Sequence, residues 1–162
     1  MRPTSRHTLV LPSVLDRLFD DQPDETVEPA ETMHFDIRRY KRAVARDLEA
    51  LLNTRCIDTE GQLEAYPYAA QSVLSFGILD LSSLSLLNPD DRTRLQDKIR
   101  IAISYHEPRL TEVMVSLEEP KELERMLRFR VDAVLKVHPD KPPVTFDATL
   151  QLSSRTYQVK EK

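Results

Sequence analysis

Pro108 separates two parts of this chain that obey different periodicities. Before it, apolar residues recur at helical spacing; after it, they alternate. Proline has no N–H and pushes the preceding residue out of the α region, so Glu107 is predicted to end a helix. Beyond it the backbone is expected to be extended, with Glu107 and Arg109 two apart on one side of the chain. A carboxylate and a guanidinium on a stiff elbow, hemmed in by apolar neighbours, make either an internal brace or a docking feature.

The part after the elbow reads as strands. Val113, Val115 and Leu117 alternate with Met114 and Ser116. Leu127, Phe129, Val131, Ala133, Leu135 and Val137 alternate with Arg128, Arg130, Asp132, Val134 and Lys136. After His138-Pro139-Asp140-Lys141-Pro142-Pro143, a third set follows: Val144, Phe146, Ala148, Leu150 and Leu152. A hairpin with Val137 opposite Val144 pairs Leu135 with Phe146, Ala133 with Ala148, Val131 with Leu150 and Phe129 with Leu152. A one-residue slip would turn every apolar side chain to the wrong face. Ser153-Ser154-Arg155, before Tyr157 and Val159, reads as a turn or bulge near an edge, so the strand carrying Thr149 is expected to be outermost.

Upstream, Asn88-Pro89-Asp90-Asp91 is a helix start: an N-cap, proline at the first position, then acids at the positive dipole end. Leu95, Ile99, Ala102, Ile103 and His106 share a face, which predicts a helix over 89–106. His106 is expected to pack or cap at its end. Ile37, Tyr40, Val44, Leu48, Leu51 and Leu52 predict another helix over about 34–53. Arg38, Arg39, Arg42 and Arg46 lie across from that stripe, favouring a solvated face over a surface for an acidic protein partner. Ser72–Ser75 suggests one helical turn, and Gly77, one of only two glycines, suits a conformation that other residues find strained.

The N-terminus carries a short amphipathic segment after Pro12, with Ser13 as N-cap and Leu11, Val14, Leu15 and Leu18 as a candidate partner-binding stripe. Residues 20–31 are acidic and proline-bearing, a composition that buries too little apolar surface to fold alone. The chain is therefore read as an arm and acidic linker over 1–31 and a folded domain over 32–162. The expected architecture is α+β: a small antiparallel sheet packed on one face by helices, with a polar opposite face.

Composition narrows the function. A net charge of −4 and a pI near 5.6 argue against nucleic acid as the main partner. No apolar run approaches the ~20 residues of a membrane span, and no signal peptide is read at the start. The single cysteine, Cys56, precludes an internal disulfide framework, and no motif around it marks a nucleophile. Phosphate-binding glycine loops and Gly-x-Ser-x-Gly elbows are absent, and no His/Cys/Asp cluster has metal-ligand spacing. A glycosidase needs two carboxylates across a cleft, one with a raised pKa. Glu107 with Asp132 or Asp147 is the available pair, but Arg109 beside Glu107 favours the charged form. No catalytic residue and no cofactor is expected.

The motifs together carry a resemblance. Leu11-Pro12-Ser13-Val14-Leu15-Asp16-Arg17-Leu18, Asp47–Arg55, Tyr66-Pro67, Ser72–Gly77, Glu107-Pro108-Arg109, Leu127–Asp132 and Val144–Asp147 occur in an order that spans nearly the whole chain. In this the chain resembles the TssE family of type VI secretion baseplate subunits, within the wider lysozyme-like phage baseplate wedge proteins. The resemblance implies a non-enzymatic structural part in a contractile injection machine. It would sit in the cytoplasm in a baseplate docked at the inner membrane, without inserting in it. The implied partners are the F, G and K baseplate subunits and sheath subunits, the latter joined by strand addition to an open sheet edge. It makes Glu107, Pro108 and Arg109 the leading protein-binding or bracing residues. The alternative of the same superfold is an anti-adaptor that protects a stress sigma factor from proteolysis; that of another class is a peptidoglycan glycosidase.

Overall fold

The computed structural model describes residues 10, 12–18, 36–56, 65–78, 85, 88–119, 126–137, 141–151 and 153–162. In chain order these form α1 (Val14–Leu18), α2 (Ile37–Asn53), two 3-10 turns (Ala69–Gln71 and Val73–Ser75), α3 (Pro89–His106), and strands β1 (Leu110–Leu117), β2 (Met126–Leu135), β3 (Pro143–Gln151) and β4 (Thr156–Glu161). The expected acidic linker over 20–31 lies outside the described residues.

Both long helices start where side chains meet their unpaired N–H groups. The Asp36 carboxylate accepts from Arg39 N–H at 2.7 Å, and the Asn88 side chain accepts from Asp90 N–H at 3.0 Å. The strands make one antiparallel meander in the order β1-β2-β3-β4. α2 packs over β4 and α3 over β1, so the helices cover one face. Val44, Leu48, Leu51, Leu95, Ile99, Ile103, Leu135 and Phe146 fill the space between the layers. The other face is polar: Thr145 donates to Asp132 at 2.7 Å, and Arg130 to Asp147 at 3.2 Å. This is the α+β architecture expected from the alternation.

Three details differ from the expectation. First, the β2–β3 register is displaced. Ala133 faces Val144, Val131 faces Phe146, Phe129 faces Ala148 and Leu127 faces Leu150. Phe146 thus meets Val131 rather than Leu135. The chain leaves the ladder after Leu135, whose N–H bonds Pro142 C=O at 3.0 Å. Lys136 N–H turns to Arg109 C=O at 2.8 Å, and Val137 N–H closes a three-residue turn on Leu135 C=O at 2.9 Å. The displacement is even, so every apolar side chain keeps its face.

Second, β3 is not outermost. Ser153–Arg155 form a turn, with Arg155 at φ 54°, that opens the further strand β4. Thr149 is paired on both sides, with Arg128 and with Gln158. Third, the bulge lies in β1. Leu110 and Thr111 face Leu135 and Val134, while Met114 and Val115 face Asp132 and Val131. Two residues therefore oppose Ala133, and Glu112 takes φ 54° to accommodate them. The extra residue lets Leu110 and Val115, an odd number apart, both point into the core.

Candidate functional site

The elbow forms at the end of α3 as the proline requires. His106 is the last helical residue and Glu107 the cap. The chain then does not run straight on: Leu110 N–H bonds Glu107 C=O at 3.1 Å, closing a β-turn with Pro108 at its second position. It is this turn, rather than the pleat of a strand, that brings Glu107 and Arg109 together.

Arg109 closes on Glu107 as a fork. Its Nε donates to Oε1 at 2.6 Å and its Nη2 to Oε2, the bidentate geometry that makes arginine–carboxylate pairs strong. Glu107 is 4% exposed. Nη2 also donates to Asp47 Oδ2 of α2 at 2.6 Å, and the guanidinium carbon lies 5.9 Å from the centre of the Tyr40 ring. Burial alone would lower the Arg109 pKa, but the two carboxylates outweigh it and shift it upward, so the guanidinium stays charged throughout the working range. Burial likewise pushes the Tyr40 hydroxyl up.

The network continues to the N-terminal arm. Asp47 Oδ1 accepts from Arg46 Nε at 2.9 Å and Nη2 at 2.8 Å, and Arg46 Nη2 reaches Asp16 Oδ1 at 2.7 Å. Asp16 is 5% exposed. Its Oδ2 accepts from Ser13 Oγ at 2.6 Å and Ser13 N–H at 3.2 Å, while Ser13 Oγ accepts from Asp16 N–H at 3.2 Å. This reciprocal pair is a capping box that uses aspartate. Burial raises the Asp16 pKa, but the Ser13 and Arg46 hydrogen bonds outweigh it and the net shift is downward. Asp16, Arg46, Asp47, Arg109 and Glu107 thus form a line of alternating charge from the arm through α2 to the elbow.

Sequence reasoning placed Glu107, Pro108 and Arg109 together and missed Asp47. The available signal was periodic: Tyr40, Val44, Asp47 and Leu51 fall at helical spacing, so an acid sits inside an apolar stripe and needs a buried partner. The arm residues Val14, Leu15 and Leu18 are 76%, 51% and 75% exposed; Leu11 lies outside the described residues. Glu107 is the cap, while His106 packs at the end of its helix, one of the two roles expected for it. Its Nε2 lies 3.0 Å from Ser75 O, and its ring meets Phe76 edge-on at 5.3 Å. Cys56 is half-buried, with Sγ 3.7 Å from Leu74 C=O. Gly77 takes φ +114°, and a Cβ there would stand 2.4 Å from Thr54 O. Asp132 and Asp147 project from the polar face of the sheet, bonded to Thr145 and Arg130. They do not face buried Glu107 across a cleft, so the hydrolytic pairing is not assembled. Among the described residues, no cluster of three or more His, Cys, Asp or Glu is placed to hold a metal ion, and no helix is long and apolar enough to cross a membrane.

The two sheet edges are unlike. On β4, the Asn53 side chain of α2 accepts from Tyr157 N–H at 2.8 Å and donates to Tyr157 C=O at 2.9 Å. Glu49, one turn earlier, accepts from Val159 N–H at 2.9 Å. These side chains act as a surrogate strand along the outer side of β4. Along β1, no described side chain bonds the main chain from outside. Glu118 N–H bonds Arg128 C=O at 2.9 Å, so by antiparallel alternation Leu117 and Val115 direct their N–H and C=O groups outward.

The model of one protein family, described as "Baseplate wedge protein gp25", matches residues 38–140. That span runs from α2 through the elbow to the loop after β2. No curated protein and no solved structure matched the chain.

Proposed function

This chain belongs to the gp25 family of baseplate wedge proteins, structural components of phage tail-like assemblies, and from that membership we propose that it serves the type VI secretion branch. In this reading it links the wedge complex of F, G and K subunits to the first ring of the contractile sheath, in a cytoplasmic baseplate docked at the inner membrane. The branch is supported by the Leu-Pro-Ser arm, which lies outside the family match, and by Leu51-Leu52-Asn53-Thr54-Arg55. The elbow acts as a brace: its carboxylate is buried and its guanidinium is held by two acids from different elements. The domain proper starts at about residue 32, with the arm and linker before it.

The observation that carries the sheath reading is the asymmetry of the sheet. An added strand needs a row of main-chain donors and acceptors. β4 has its row occupied by Asn53 and Glu49, whereas β1 presents Val115 and Leu117. The sheath strand therefore docks on β1. Leu117→Pro removes one outward N–H, and proline is tolerated on an edge strand where its N–H would face solvent. The expected result is a folded protein that still co-purifies with the wedge subunits but recruits no sheath. Thr149→Pro, inside the sheet, should unfold the domain. Normal sheath polymerisation on folded Leu117→Pro protein would refute strand addition at this edge.

A further inference from the structure

Arg92 is a cation placed where an apolar side chain belongs. It heads the buried stripe of α3, in helical step with Leu95, Ile99 and Ile103, which puts it on the face turned to the sheet. There its Nη2 donates to Glu118 C=O at 3.2 Å, just past the end of β1. Its Nε is buried and, among the described residues, has no hydrogen-bond partner. No described carboxylate pairs with it.

Other half-buried cations are treated differently. Lys41 holds Glu161, Arg109 holds Glu107 and Asp47, and Arg130 holds Asp147. The acids near Arg92 are turned elsewhere. Asp91 accepts from Ser85 N–H at 3.0 Å and pairs with Arg94 at 3.9 Å. Asp90, two residues back on the helix, does not share its side. The Glu118 and Glu119 side chains are exposed. A guanidinium drawn partly out of water without a counter-charge is unfavourable, and an arriving carboxylate offsets that cost.

Arg92 stands at the end of the open sheet edge. Leu117, whose N–H and C=O are directed outward, immediately precedes the carbonyl that Arg92 holds. On the helix side of this edge Val113 and Leu117 are only partly buried and rim the core. A strand laid along β1 sets every second side chain on that side. One of them covers Leu117, and the next on the same face arrives at the level of Arg92. We propose that the strand received by β1 carries an apolar residue and, two positions along on the same face, an aspartate or glutamate that pairs with Arg92. The proposal rests on the strand-addition reading of β1 and adds the chemistry of the strand. A lysine or arginine at that position would meet Arg92 as a like charge, so the edge also rejects strands of the wrong kind.

The test uses the full-length chain in its native cells, with a benzoylphenylalanine photocrosslinker at Ser116, an exposed position beside the outward row. The captured segment is sequenced and made as a synthetic peptide, whose binding to the purified full-length chain is measured by fluorescence anisotropy. The expected segment has an acid two residues from an apolar side chain. Arg92→Gln keeps a donor for Glu118 C=O, so melting should hold while affinity falls roughly tenfold or more. Replacing the peptide's acid by its amide should cause the same loss on the native chain and no further loss on Arg92→Gln. The amide peptide leaves the protein untouched, so it decides the matter even where Arg92→Gln melts early. Arg92→Glu with the peptide's acid changed to lysine should recover binding, which a purely structural role for Arg92 does not allow. A segment with no acid at that position, or a peptide indifferent to Arg92→Gln and to its own amide, would overturn the proposal. If such a peptide is still lost with Leu117→Pro, strand addition stands and the Arg92 pairing alone falls. If none of these changes weakens binding, or nothing is captured, strand addition at β1 falls and the pairing with it.

Discussion

Replacing Arg109 with alanine separates a brace from a docking head by stability alone. In the native chain the guanidinium makes three charge-assisted hydrogen bonds to side chains, two to Glu107 and one to Asp47. Its own side chain is 18% exposed and that of Glu107 5%. Arg109→Ala leaves Glu107 as a buried carboxylate without its cation, and breaking such a pair costs about 3–5 kcal/mol. For a domain whose whole stability is about 5–15 kcal/mol, this is a large share. At this chain length it corresponds to a fall in melting temperature of roughly 6–20 °C. Asp47→Asn should cost less, about 1–2 kcal/mol, because Asp47 is 28% exposed and water can replace part of the interaction. Glu107→Ala combined with Arg109→Ala should cost clearly less than the sum of the single changes, with a coupling of about 1–3 kcal/mol. Urea unfolding monitored by circular dichroism measures the native chain, the three single variants and the double variant. A folded Arg109→Ala protein that loses under about 1 kcal/mol, with additive double-mutant energies, would refute the bracing role and leave the residue as a contact for a partner.

Among the described residues the buried Tyr157 hydroxyl has no hydrogen-bond partner, and burial raises its pKa. Tyr157→Phe should therefore leave stability unchanged or raise it by about 1 kcal/mol, and a loss of similar size in urea titration would mean the hydroxyl has a partner after all. Gly77→Ala should cost about 2–4 kcal/mol, since φ +114° and the Thr54 carbonyl both oppose a side chain; an unchanged melting temperature would contradict that geometry. The Asp16 carboxyl titrates below its ordinary value of 3.8, so the arm's contact is at full strength above that value and is lost as pH falls through the lower, folded one. The Ser13 amide resonance, followed from about pH 6 to about pH 2, should move only at the acid end, and a transition above the ordinary aspartate value would show that Asp16 is not held as described.

How far the sequence could be read depended on whether a feature was local. Asn88-Pro89 and Pro108 set both ends of α3 because caps and proline act within a few residues. The two faces of the sheet were equally legible, since alternation is a property of each strand. The β2–β3 register was not, because any even displacement satisfies the same alternation and only the path of Lys136 and Val137 decides among them. The bulge at Glu112 was hidden for a related reason: Val113, Val115 and Leu117 alternate perfectly on paper, and only Leu110 needs the extra residue. Asp47 lies far from the elbow in sequence and was visible only as an acid among apolar neighbours. The apolar arc of α1 was read as a partner-binding stripe, but its anchor at Asp16 escaped because the partner, Arg46, lies 30 residues away in sequence. It is the long-range bond from Arg46 to Asp16 that turns the arc outward.

The contrast between the two sheet edges sets a valence. A sheet with both edges open can be extended on either side and is the repeating unit of an unlimited array. One with both edges closed ends with itself. Here Asn53 and Glu49 occupy one side and, among the described residues, nothing occupies the other, so in the proposed strand addition the sheet is monovalent. Any assembly that grows from it by strand exchange has a direction from its first step, because this subunit can begin such a series but cannot stand in its middle. Two side chains one helical turn apart on α2 thus distinguish a starting block from a link. Substituting both with alanine would raise the valence to two, and a protein that behaves as an end would acquire the means to form chains.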